Sequence, residues 1–155
     1  MDRVIARLTE MQLQLPSRCN PRGNFLPYKL NGDTVYLAGQ ICEWNGTVKY
    51  QGQVGKHLDI EAGQDAARIC ALNLLFHLRN ACGGTLERVA GCLRVRGFVN
   101  CVDGFPSTPL VINGASDLFI ALFGEAGRHA RTAVGVAALP GNAAVEVDAD
   151  FSMRP

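Results

Sequence analysis

The chain has almost no charge imbalance: 15 Lys and Arg face 14 Asp and Glu over 155 residues, a formal net charge of +1. Such a balance creates no field for gripping a long polyanion, which argues against nucleic acid as a partner. Histidine is scarce, at three residues. None of the six cysteines (Cys19, Cys42, Cys70, Cys82, Cys92, Cys101) forms a CxxC pair or a zinc-like spacing with a histidine. No metal and no cofactor is therefore expected. An unbroken apolar run of about 18 residues is missing, so no membrane span is expected. The opening MDRVIARLTEMQ lacks the uncharged apolar stretch of a secretory signal. Without that signal the cysteines read as reduced, small hydrophobes of a cytoplasmic protein. Repeats, linkers and low-complexity segments are absent too, which leaves one domain over 1–155.

What is present is a core-forming composition, 48% hydrophobic and 19% charged. Residues 2–14 carry Val4, Leu8 and Met11 at helical spacing, with Asp2 as cap and Pro16 as stop, an N-terminal helical extension over about 1–15. Loop composition covers 16–24. Three strand-like runs follow: FLPYKL, TVYLAGQI after Asn31-Gly32-Asp33, and TVKY after Asn45-Gly46, the last a hairpin signal. The strongest helix pattern is 60–82, with Asp59 to cap it and Gly83-Gly84 to end it. A strand over roughly 89–101, a helix over roughly 107–124, and two strands ending near Phe151 complete the order.

Helix, three strands, helix, strand, helix, two strands make an α+β fold with a mixed sheet and helices on one face. Alternation then assigns faces. Arg94 and Arg96 share one side of their strand, and Glu146, Asp148 and Asp150 share the side opposite Val145, Val147 and Phe151. In the strand from 131, Val134 and Val136 are expected to meet the helices. The small side, with Ala133 and Gly135, would accept close approach by a second copy. On this reading Arg131 and Glu146 face the same space, and charges of opposite sign on that face can pair.

Certain residues of the chain resemble those of the RidA/YjgF family: LAGQI at 37–41, the Asn113-bearing segment, and R-x-A-V-x-V-x-x-L-P-x-N-x-x-V-E-V at 131–147. The likeness runs from about residue 25 to 151 and points to a longer branch, with extra residues around 41–58 and 101–108. It implies a chorismate-mutase-like, six-stranded sheet, and a homotrimer with the open sheet faces in a central barrel and clefts between subunits. It also implies hydrolysis of reactive enamines or imines of amino-acid metabolism to keto acids and ammonia. In that scheme Arg131 grips a carboxylate-bearing metabolite and Glu146 positions water. Gly39, Phe25, Ala133 and Asn113 line the cleft. Two departures stand out: Phe25 where a tyrosine is common, and Ala133 where a cysteine is. Tyr28 is a nearby source of a hydroxyl.

The chemistry suits these residue types. A guanidinium meets a carboxylate through a planar fork and stays charged, which a lysine point charge does not match. Fixing one end of a small acid fixes its C=N carbon relative to a bound water. A carboxylate beside that water can take its proton. On spacing alone, Arg131 is also a solvated or ion-paired strand end, and Glu146 a partner for Arg94, Arg96 or Arg131. His129 reads as a loop histidine or a partner for Glu125, and Asn73 as a satisfier of backbone groups. Two other functions stay open: a carboxylate-binding module without catalysis, and endoribonuclease action, which the charge balance disfavours.

Overall fold

The computed structural model describes residues 1–155. Helix α1 spans Arg3–Glu10. Its cap is Asp2, whose Oδ1 accepts from the Val4 and Ile5 amides at 2.9 and 3.2 Å. Oδ2 of the same side chain accepts from the Leu86 amide at 2.7 Å and the Thr85 hydroxyl at 2.9 Å. One carboxylate thus caps α1 and ties it to the 3-10 turn Leu86–Arg88. The helix ends four residues before the expected 14, because Gln12 takes a left-handed φ of 59° and turns Leu13 and Leu15 back onto the core.

Strands β1 (Tyr28–Asn31) and β2 (Thr34–Ile41) pair antiparallel around Gly32. Next comes the Asn45-Gly46 hairpin, β3 (Glu43–Trp44) with β4 (Thr47–Val48), both turn residues at positive φ as a type I′ turn requires. Helix α2 (Ile60–Ala81) starts where Asp59 accepts from the Ala62 amide at 2.8 Å and stops before Gly83 and Gly84, both at positive φ. Strand β5 is Val89–Asn100, α3 is Thr108–Phe123, β6 is Ala130–Val136 and β7 is Val145–Met153.

The main sheet has five strands in the order β1-β2-β7-β5-β6, antiparallel except for the parallel β5–β6 edge. The expected six-strand count fails because β3 and β4 form a separate ribbon. Asn73 of α2 holds that ribbon, donating to the Ile41 and Glu43 carbonyls at 3.2 and 2.6 Å; it serves backbone groups as expected, but distant ones and not the local ones.

Helices α2 and α3 cover one sheet face. Val35, Val95, Val99, Val145, Val147 and Phe151 point into that layer and are fully buried. The helices cross closely at Gly114, where a Cβ would come within 2.9 Å of the Gln64 Cα. The stretch Thr108–Gly127 reaches a mean hydropathy of 1.3, long and apolar enough by composition to cross a membrane, although Asn113 and Asp117 interrupt its apolar run. In the fold it is a core helix: Val111, Ile112, Ala115 and Phe119 are fully buried beneath the sheet. All six cysteines are free thiols.

The other sheet face is open. On it Arg96 bridges β5 and β7, reaching Asp148 at 2.6 Å and Asp150 at 3.1 Å, as alternation anticipates. Tyr36, Phe98 and Val134 stand on the same face beside this charged row, with Tyr36 and Val134 over two-fifths exposed.

Strand β6 reverses its expected orientation. Its parallel register pairs Arg131 with the buried Val95, and Ala133 with Gly97, whose missing Cβ would stand 2.7 Å from Ile112 Cγ2 of α3. Arg131, Ala133 and Gly135 therefore face the helices, and Thr132 and Val134 turn outward. The small side chains admit α3 and the loop before it: a Cβ on Gly135 would meet Cys101 Sγ at 2.7 Å. Apolar character marks a strand face as buried somewhere; it does not say against what.

Candidate functional site

Two half-sites emerge. The first is a cleft of about 410 Å³ between the 20–26 loop, β2, the start of β7 and Pro140. Its floor is made by a β-bulge. Leu37 pairs with Ala149 and Gln40 with Val147, so Ala38 and Gly39 together oppose the single residue Asp148. The bulge brings the bare Gly39 backbone under Glu146. A Cβ at Gly39 would overlap the Glu146 carboxylate, coming within 3.1 Å of its Cδ. Glu146 makes no ion pair within the protomer: Arg96 is engaged by Asp148 and Asp150, and Arg131 lies elsewhere. Burial, then the neighbouring Asp148, raises the Glu146 pKa above the ordinary carboxylate value. That makes it a stronger base than a solvated glutamate.

Phe25 forms a wall of this cleft and is 46% exposed, a ring without a hydroxyl. Tyr28 packs against the core and lies outside the lining. Sequence reading missed the cleft's own cation. Arg22 donates to Glu43 through Nε at 3.3 Å and Nη2 at 3.2 Å. A basic residue in a Pro/Gly-rich loop carries no local signal that it will reach across to a β-hairpin.

The second half-site is a smaller groove, about 230 Å³, at the β6 edge over α3. Here Arg131 Nη1 donates to Asn113 Oδ1 at 2.7 Å and Ser116 Oγ at 3.2 Å, and Nη2 donates to the Pro109 carbonyl at 3.3 Å. The guanidinium is pinned along one side, and its Nε–H has no acceptor within the protomer. Asn113 thus meets and positions Arg131, where the motif reading has it only as a residue lining the cleft. Ala133 sits one step along the same strand face, half-buried, its carbonyl taking a hydrogen bond from Thr108 Oγ1 at 3.1 Å. His129 is a loop histidine, one of the two readings the sequence offers; the other, a partner for Glu125, fails. Glu125 pairs with Arg128 at 3.2 Å instead, and His129 Nε2 lies 2.8 Å from Ser116 Oγ. Ser116 stands one helical turn after Asn113, so an i,i+3 search from Asn113 would have found it.

The structure brings Gly39, Phe25 and Glu146 together, and separately Arg131 and Asn113. It does not bring the two sets together in one protomer, because Arg131 faces the helix layer and Glu146 the open face, with β5 between their strands. The expectation that both lie on the same face of the sheet is corrected here.

Comparisons with known proteins identify the family. The family model described as "YjgF/chorismate_mutase-like, putative endoribonuclease" matches residues 5–149. "Protein TCP17" of Trypanosoma cruzi is 42% identical over 148 residues, covering 95% of this chain and 92% of its own. Among solved structures, the protein Atu1372 of unknown function from Agrobacterium tumefaciens superposes with a TM-score of 0.91 at 38% identity, over 99% of this chain and 93% of that one. A "putative endoribonuclease" from Shewanella oneidensis gives 0.92 at 33%, over 97% and 99%. The bulged β2, the Arg131 strand and the Glu146 strand all fall within the matched span, and the chain belongs to the RidA/YjgF family.

Proposed function

We propose that the protein hydrolyses small enamine or imine acids to keto acids and ammonia, at clefts that two copies of the chain complete. The carrying observation is the division of the site: a pinned guanidinium at an edge strand, and an unpaired, half-buried carboxylate over a bare glycine on the opposite face. The cation of the Glu146 cleft, Arg22, is already paired with Glu43, so a free guanidinium edge has to come from elsewhere. The open sheet face, with Tyr36, Phe98 and Val134 around a paired charge row, suits burial against further copies, and a closed ring of three is the arrangement the family resemblance implies.

In the assembled cleft Arg131 of one protomer would hold the substrate carboxylate through its unused Nε edge. Glu146 of the next would take a proton from water as the oxygen adds to the C=N carbon. That proton is passed to nitrogen to give the carbinolamine; Glu146 then takes the hydroxyl proton and returns it to nitrogen, so that C=O forms as the C–N bond breaks and ammonia leaves. For 2-iminopropionate the balance is one water consumed, with one pyruvate and one ammonia released. Every step is proton transfer and addition, supplied by these side chains. The substrate's place is the cytoplasm, where the free thiols would stay reduced.

The test is ammonia release from enzymatically generated 2-aminoacrylate. Wild type is expected to exceed the spontaneous rate, and Arg131→Ala and Glu146→Gln to fall to it. Equal rates for all three would overturn the reading. Phe25 and Ala133 favour one second reading, a carboxylate-binding module without turnover, since they leave the cleft short of a hydroxyl and a thiol. That reading predicts Arg131-dependent pyruvate binding by calorimetry with no ammonia. Endoribonuclease action is weaker: net charge is +1 and Phe25 is the single aromatic in the larger cleft.

A further inference from the structure

We propose that His129, acting through Ser116, is a positioning residue that holds Arg131 in its carboxylate-binding orientation, and that only the neutral imidazole can do so. The inference rests on Arg131 being the substrate-binding cation and goes beyond it, because it adds two residues and a protonation state.

The direction of each hydrogen bond fixes the argument. His129 Nδ1 lies 2.7 Å from the Gly127 carbonyl oxygen. A carbonyl only accepts, so Nδ1 carries the proton. In the neutral ring Nε2 is then bare, and at 2.8 Å it accepts the Ser116 hydroxyl proton. Ser116, 6% exposed in α3, has committed its only hydrogen and offers Arg131 Nη1 a lone pair at 3.2 Å. The chain of polarity runs from Arg131 to Ser116 to His129 to Gly127, with each donor matched to one acceptor. Phe119 packs its ring edge-on to the imidazole, with centroids 6.2 Å apart, and fixes the ring plane.

Protonation breaks the order. An Nε2–H would point at Ser116 Oγ, where Arg131 Nη1–H already converges. The hydroxyl hydrogen must then turn away, and two cations share one groove. The charged groups facing the ring are Arg131, with Arg128 and Asp117 on the groove walls. Arg128 is drawn outward by Glu125 at 3.2 Å. Burial and the Arg131 charge hold His129 below the ordinary histidine pKa, against the Gly127 hydrogen bond that raises it. The neutral form is therefore the one present near neutrality.

Two measurements decide it. The first needs no ligand: 15N spectra of histidine-labelled protein, with the rotation rate of the Arg131 guanidinium, in wild type, Ser116→Ala and His129→Phe. Expected are the Nδ1–H tautomer, a His129 titration below that of a free histidine, and faster guanidinium rotation in both variants. An Nε2–H tautomer, or rotation unchanged by Ser116→Ala, overturns the proposal. The second is pyruvate binding at pH 7.5 and 5.5. Ser116→Ala should bind about fivefold to tenfold more weakly at pH 7.5, the share of one hydrogen bond to a charged group, and lose the wild type's pH step. Wild-type affinity retained by both variants at both pH values overturns the positioning role. Wild type that fails to bind pyruvate while the spectra behave as expected counts against the substrate reading, and the relay stands.

Discussion

Arg131 and Glu146 occupy opposite faces of one sheet, on strands β6 and β7 separated by β5. A chain with this arrangement can unite the pair only with another copy of itself. Mixing Arg131→Ala and Glu146→Gln protomers, each inactive alone, should therefore restore ammonia release. Random mixing in a ring leaves about one cleft in four with both groups intact. Recovery near a quarter of wild type, measured after co-refolding, is the expected result; none would place both residues in one protomer's site.

Gly39 and Gly114 should respond oppositely to alanine. At Gly39 the added methyl meets the movable end of Glu146, so melting should shift little, while activity falls at least about tenfold as the carboxylate is displaced. At Gly114 the methyl meets the backbone of α2, within 2.9 Å of Gln64 Cα. Neither helix can yield locally, and unfolding free energy should drop by about 2 kcal/mol or more. Urea unfolding beside activity separates the two cases.

The raised pKa of Glu146 makes a signed prediction. A carboxyl whose folded value exceeds its unfolded one binds more protons in the native state. Its contribution to stability is complete below the ordinary glutamate value of about 4.3 and fades as pH rises through the folded value. Glu146→Gln should then be more stable than wild type at pH 8, with the gap closing toward pH 4. Activity should show the reverse trend in wild type, dropping with pH as Glu146 gains its proton. Denaturation at several pH values checks the first part and a pH–rate profile the second.

The thiols should be quiet. Burial, chiefly, pushes Cys19 up to about 11 and Cys92 up to about 12. Since the thiolate is the reacting form, Ellman's reagent at pH 8 should titrate about one thiol or fewer in the folded protein within minutes. In denaturant it should titrate all six.

Much of this was readable from residue order. Asp59 and Gly83-Gly84 bound α2 because capping and left-handed exits are local chemistry. Asn45-Gly46 specified its turn for the same reason. Arg96 found Asp148 and Asp150 because alternation is strict within a strand. What escaped was non-local. Whether valines of β6 meet helices or the open face depends on the parallel register with β5, and nothing inside residues 130–136 encodes it. The β3–β4 ribbon left the main sheet because Asn73, 30 residues downstream of Glu43, pins it. The motif supplied the candidate residues singly, but their partition between two faces, and the hydrogen-bonded chain from Arg131 through Ser116 to His129, needed the packed structure.

The double duty of Asp2 bears on how the molecule is made. Its two oxygens serve different masters, one the first helix and the other Thr85 and Leu86. Leu86 follows Asp2 by 84 positions. On a ribosome adding about 5–20 residues each second, that interval is roughly 4 to 17 seconds. The first helix of the nascent chain therefore docks late: it waits, capped but unanchored, until Thr85 and Leu86 arrive to receive it.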